Sequence, residues 1–230
     1  DVHRTENVFS EDLSLDWGES LLFSTRPHTR RRSIPCYEEF LTRMDAFTGG
    51  LVETLQNIPG ICVAGGCILG ALLEEPAGDI DIFVTQHEVA EDALRSIYTA
   101  IHEKHVQKYG QKAKLCITRS RNAVTIHRCG SPKPPVQLIT FTYRSTADLL
   151  LRFDVDCCAI GWEPQRGRVL ATKRAQHAIK TQVNVANSAF ETSGYTIRLE
   201  KYARRGFGLF IPGLDLSLVC PDVINGSYVF

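Results

Sequence analysis

The sequence predicts an α/β (α+β) domain: a mixed β-sheet flanked by helices, with a helical addition towards the C-terminal end. Three observations carry this reading. Buried strand-like and helix-like runs alternate between residues 61 and 108, further strand-like segments follow between 114 and 142, and the chain reads as mostly helical after Arg174. With 230 residues, 43% hydrophobic and 23% charged, the chain has material for one large or two small globular domains with a true core.

Residues 1–35 show no sustained periodicity and place Arg26, Arg30, Arg31 and Arg32 around a proline, as a surface arm or linker does; a nuclear-localisation run is the other reading of the same residues. From Tyr37 to Leu55, the residues Phe40, Met44, Phe47, Leu51 and Leu55 recur at helical spacing, predicting one helix that ends before Pro59-Gly60. Next come a strand (ICVAGG), a helix (CILGALL), a strand (DIDIFV) and a long helix from about His87 to Lys108 with the stripe Ala90, Leu94, Ile97, Ile101. Strands are expected at 114–118, 123–128 and 136–142, separated by Arg121-Asn122 and by the proline-rich 130–135 turn. A short helix at 146–152 leads into FDVDCCAIGW, read as a strand whose hairpin partner begins at Gly167. Helical segments run through Tyr195 to Arg205, and FGLFIP precedes an irregular tail. The domain boundaries expected are an arm over 1–35, the domain over 36–215 and a tail over 216–230.

Twenty-six basic residues balance 26 acidic ones and the pI is near 7.2, so no whole-chain field draws the protein to nucleic acid or an anionic membrane. No apolar run approaches the length of a membrane span, and the first residues are too acidic and polar for a signal peptide. The eight cysteines are scattered, lack zinc spacing and mostly lie in apolar runs, which predicts buried thiols and a cytoplasmic or nuclear protein with no membrane partner. The chain begins with Asp and has a single methionine, Met44, as expected of a piece of a larger multidomain protein or a processed product.

The chemistry-bearing stretch is VAGGCILGALLEEPAGDIDIFV, residues 63–84. Gly65 and Gly66 stand where a strand turns into a helix, so backbone free of side chains can approach phosphate oxygens and donate N–H groups. Asp79 and Asp81, two apart on the next strand, present both carboxylates on one face while Ile80 and Ile82 enter the core. Two such like charges call for a cation between them, and magnesium, which takes carboxylates together with phosphate oxygens, is the natural one. The stretch lacks the Gly-Lys-Ser/Thr ending of a Walker loop.

These residues resemble the DNA polymerase β-like nucleotidyltransferases, whose signature is a Gly-Gly or Gly-Ser turn followed by an Asp-hydrophobic-Asp-hydrophobic strand. A longer stretch, from FDVDCCAIGW through YTIRLEKYARRGF, resembles a module found within larger eukaryotic and viral proteins. The first resemblance implies a third carboxylate, for which FDVDCCAIGW offers Asp154 and Asp156; Asp156, further into the run read as a strand, is favoured, and Asp154 caps the preceding helix in the other reading. It implies Mg²⁺ or Mn²⁺ held by Asp79, Asp81 and Asp156, an NTP as substrate, transfer of its NMP to an acceptor hydroxyl and release of pyrophosphate. It also implies cations on a later helix for the triphosphate, for which Arg198 and Lys201 are chosen.

Residues 166–205 hold nine basic residues against two acidic ones, a local charge suited to a triphosphate or to the phosphates of an acceptor, RNA ends included. His127, His177, the Cys157-Cys158 pair, Tyr195 and Tyr202 are read as packing or surface residues before chemical ones. Two functions stand from this stage: a metal-dependent nucleotidyltransferase, and a catalytically inactive module of the same fold acting as a nucleotide-, RNA- or protein-binding platform.

Overall fold

The computed structural model describes residues 34–76, 78–110, 113–190 and 194–215, together with the backbone of Thr5–Asn7. The readings made for the rest of the arm and for the 216–230 tail lie outside the described residues. The elements in chain order are β1 (Thr5–Asn7), α1 (Tyr37–Thr48), α2 (Val52–Gln56), β2 (Ile61–Ala64), α3 (Gly66–Leu73), β3 (Ile80–Val84) and α4 (Ala90–Tyr109). They continue with β4 (Leu115–Arg119), β5 (Ala123–Arg128), β6 (Val136–Thr142), α5 (Thr146–Leu151), β7 (Ile160–Glu163) and β8 (Arg168–Thr172). The last are α6 (Lys173–Thr181), β9 (Val183–Val185), α7 (Tyr195–Arg204) and β10 (Gly208–Phe210). No helix among the described residues is long and apolar enough to cross a membrane.

Contacts divide the chain into two units, the first comprising β1 with residues 34–153 and 158–173, the second residues 154–157 and 174–215. In the first, eight strands form one sheet in the order β1-β8-β7-β2-β3-β6-β5-β4. Only β3 and β6 pair in parallel, and every other neighbour is antiparallel, which makes the sheet mixed as the sequence predicts.

The α3 segment reads as apolar on all sides, and its residues Cys67 through Leu73 are all buried, as a helix without a polar face requires. Against the same side, Phe40 of α1 meets Trp162 of β7 edge-on at 5.9 Å, and the Trp162 indole donates to Tyr37 Oη at 3.1 Å. A second cluster joins Cys62, Ala64, Phe83, Leu149, Leu150 and Leu170, with Phe153 packed against it.

The single helix expected over Tyr37–Leu55 is two. Gly49 and Gly50 adopt left-handed φ values of 74° and 89°, and both amides return to Asp45 O at 2.9 Å, so the helix closes there and α2 starts afresh. In α4 the buried stripe is Ala93, Ile97, Ile101 and His105 instead of the all-apolar set, because a polar residue completes it. The second unit contains a parallel pair, β9 with β10, that the helical reading did not anticipate; strands of three residues are too short to show a period. Tyr195, Leu199, Tyr202 and Phe207 are buried in this unit, and the Tyr202 and Phe207 rings meet edge-on at 6.3 Å.

Candidate active site

Strand β2 is buried along its length and ends at Ala64; Gly65 then turns the chain with φ 86° and Gly66 opens α3. A Cβ at position 65 would sit 3.1 Å from Phe153 Cε1 and would require the left-handed φ as well, so both space and backbone demand glycine. The Gly65 N–H donates to Ile160 O at 2.9 Å, and its carbonyl accepts from Leu69 N at 3.2 Å. The donor expected of Gly65 is thus already held by β7. The amides that a helix start leaves without intrahelical acceptors are those of Gly66, Cys67 and Ile68.

Antiparallel pairing of Ala64 with Asp81 carries this turn to the sheet end at which β3 begins, and Asp79 lies immediately before that strand. Ile80 and Ile82 are fully buried, whereas Asp79 and Asp81 are half-buried, the alternation the sequence predicts. Cys67 joins the two parts. Its thiol is raised well above the ordinary range, first by burial and then by the negative charges of Asp81 and Asp79. The sequence marks Cys67 only as a buried thiol; nothing local says which strand residues face it.

Among the described residues no group of three or more His, Cys, Asp or Glu side chains forms a metal site. Asp79 and Asp81 nevertheless form a hard-oxygen pair of the kind magnesium uses, since it binds through one or two carboxylates and takes its remaining ligands from water and substrate phosphates.

The second unit holds both candidates for a third carboxylate, and neither lies on a strand. Asp156 opens a 3₁₀ turn, Asp156–Cys158, with Asp154 in the bend before it, and β7 starts only at Ile160. The shared strand face read from FDVDCCAIGW is therefore absent: the apolar run is buried as a turn held by side chains. Asp156 Oδ1 accepts from Arg174 Nη1 at 2.9 Å, its Oδ2 accepts from Val185 N at 2.8 Å, and Asn184 Oδ1 accepts from Cys157 N at 2.9 Å. Asp156 is only 7% exposed, so this carboxylate ties the turn to β9. Asp154 Oδ2 accepts from both Nε, at 2.8 Å, and Nη2 of Arg198 on α7. Lys201, one turn on, is exposed, with its ammonium 5.7 Å from the centre of the Tyr202 ring. The sequence shows Arg174 and Arg198 only as members of a basic segment, because their partners are 18 and 44 positions away.

Tyr195 and Tyr202 are buried, Tyr195 Oη accepts from Asn187 N at 2.9 Å, and burial raises the Tyr195 phenol above its ordinary value. His177 is also buried, with Nε2 at 3.3 Å from Thr181 Oγ1. Burial lowers its pKa from the ordinary 6.5, the charge of Asp156 opposes this and Lys180 reinforces it. Below pH 6.5 the unfolded chain binds a proton at this imidazole that the folded chain refuses, so the stability it contributes is present above that pH and is lost as pH falls through the window beneath it. Urea midpoints are expected to fall more steeply between pH 7 and pH 5 for the parent than for His177→Gln; equal slopes would contradict the assignment.

The 166–205 segment is not one continuous basic face. Arg166 and Arg168 pair with Glu163, whose carboxyl is pushed up by burial but brought below its ordinary value overall by hydrogen bonds from Thr146 and Arg168 and by the two arginine charges. Arg174 pairs with Asp156, Arg198 with Asp154 and Arg204 with Glu200.

The profile of a family described as Gad2, Gabija anti-defense 2 family protein, matches residues 35–182. An uncharacterized protein of Acanthamoeba polyphaga mimivirus is 27% identical over 236 residues, an alignment that covers 94% of this chain and 50% of the viral protein. The chain thus spans about half the length of this curated relative. Among solved structures, a CCA-adding enzyme in complex with ATP superposes with a TM-score of 0.52 at 17% identity, over 82% of this chain and 44% of that one. A CCA-adding enzyme in its apo form II gives a TM-score of 0.50 at 16% identity, over 77% of this chain and 45% of the other. At these identities the likeness shows the fold alone, a mixed sheet with flanking helices like that of the CCA-adding enzymes.

Proposed function

The chain belongs to the Gabija anti-defense 2 family, and from that premise we propose that it is a metal-dependent nucleotidyltransferase, moving the NMP of an NTP to an acceptor hydroxyl with release of pyrophosphate. One observation carries the reading: Asp79 and Asp81 stand at the sheet end where the Gly65-Gly66 turn starts a helix. The nucleotidyltransferase fold of the ATP-bound CCA-adding enzyme supports it.

Asp79 and Asp81 would hold Mg²⁺ or Mn²⁺, which when bound neutralises triphosphate charge and lowers the pKa of an acceptor hydroxyl. The amides of Gly66, Cys67 and Ile68 orient a phosphate oxygen at the start of α3. Buried Ile80 and Ile82 fix the direction of both aspartates, so no reorganisation is needed as charge develops. Of the two further carboxylates, Asp154 is assigned the acceptor's proton, because Asp156 engages both oxygens in holding its turn while Asp154 is the more exposed side chain, 19% against 10%. Arg198 and Lys201 on α7 are assigned to the triphosphate. RNA ends remain within the acceptor class, as the local positive charge of the 166–205 segment allows.

The ion pairs at Asp154 and Asp156 favour a second reading, a module that keeps the fold as a binding platform without transfer. Magnesium-dependent pyrophosphate release separates the two. The enzyme releases pyrophosphate from at least one of the four NTPs when an RNA pool is supplied, and EDTA stops it; NTP binding with no release under any of these conditions would establish the platform.

A further inference from the structure

A cleft in the first unit, lined by the end of α4, the Gly49-Gly50 turn and the segment after β5, gathers Lys104, Lys108, Arg128 and Lys133, and no acidic side chain is among its described lining residues. Two of its polar atoms are buried without a partner among the described residues: Nε2 of His105, a residue 3% exposed, and Nε of Arg128, 9% exposed. Buried polar groups in native proteins are nearly always satisfied, so each orphan calls for an account.

The guanidinium is held in place by main chain instead of by a counter-charge. Arg128 Nη1 donates to Thr48 O at 2.6 Å and Nη2 to Pro134 O at 2.7 Å, leaving a cation whose burial lowers its pKa and which has no acidic partner among the described residues. Lys133 Nζ likewise donates to a carbonyl, Ala46 O, at 2.6 Å. The glycines leave the space this arrangement needs. A Cβ on Gly49 would lie 2.8 Å from Arg128 Nη1, and one on Gly50 would lie 3.3 Å from Lys104 Nζ. Tyr109, 40% exposed, stands at the rim with its ring centre 4.8 Å from that of His105.

Four cations converging with no acid among the described lining residues repel one another, and the ligand that removes this cost while satisfying the Arg128 Nε donor is a compact oxyanion. The geometry points to a phosphate-binding site in this cleft, separate from the Asp79-Asp81 pair, that takes the phosphate of a nucleotide or of a polynucleotide backbone. Arg128 and Lys133 supply the fixed part of the site, and Lys104 and Lys108 the adjustable part.

Calorimetric titration of the full chain in EDTA-containing, low-salt buffer tests this, with inorganic phosphate, AMP and oligoribonucleotides bearing either a 5′-phosphate or a 5′-hydroxyl as probes. The parent is expected to bind phosphate saturably, and Lys104→Gln with Lys108→Gln, both exposed side chains, should weaken it by at least about tenfold. Asp79→Ala with Asp81→Ala should bind it as the parent does, which distinguishes this site from the catalytic one. AMP binding more tightly than either oligonucleotide identifies a free nucleotide as the ligand; equal, tighter binding of both oligonucleotides identifies backbone phosphate. Absence of saturable binding by every probe, or parent-like affinity in the lysine double variant, overturns the proposal.

Discussion

Replacing Asp79 and Asp81 together with alanine is expected to lower pyrophosphate release by at least about a thousandfold, the loss of several kcal/mol of charge stabilisation in the transition state. The fold should survive. Both side chains are half-buried and at the start of β3, neither contributes to the core formed by Ile80 and Ile82, and removing neighbouring like charges beside a buried thiol relieves repulsion. Thermal unfolding at or slightly above the parent's midpoint, together with the lost activity, is the predicted pair of results. Release at the parent rate by a folded double variant would remove the metal assignment.

The second large effect is on stability. Asp156→Ala should cost about 3 kcal/mol, because it leaves Arg174, 25% exposed at its side chain, without its counter-charge and the Val185 amide without its acceptor. Asp154→Ala, whose partner Arg198 is 45% exposed, should cost no more than about 1 kcal/mol while abolishing transfer. Urea unfolding and pyrophosphate release measured on both variants decide the division of roles. A stable but inactive Asp156→Ala beside an active Asp154→Ala would reverse it.

Much of this was legible before the structure. The sheet and its flanking helices follow from apolar periodicity, and the Gly-Gly turn with Asp79 and Asp81 follows from spacing alone, since a residue's direction on a strand is set by its neighbours in sequence. What escaped was set by contacts distant along the chain. FDVDCCAIGW reads as a strand because its apolar content suits one, but Asp156 is captured by Arg174 and by the Val185 amide, and the run is folded into a turn. The break in the first helix was open to view in Gly49-Gly50, yet regular spacing of Met44, Phe47 and Leu51 across it concealed the interruption. The cluster at Lys104, His105, Arg128 and Lys133 draws on three separate segments, so no window of sequence contains it.

The measurement that bears most directly on the central claim is incubation of the chain with each α-labelled NTP in turn, with Mg²⁺ or Mn²⁺, with and without a mixed RNA pool, following the label and pyrophosphate together. Equimolar appearance of pyrophosphate and of label on RNA, on protein or on a small hydroxyl compound, lost in Asp79→Ala with Asp81→Ala, is the result predicted. NTP bound by the chain but recovered intact from every incubation would contradict it.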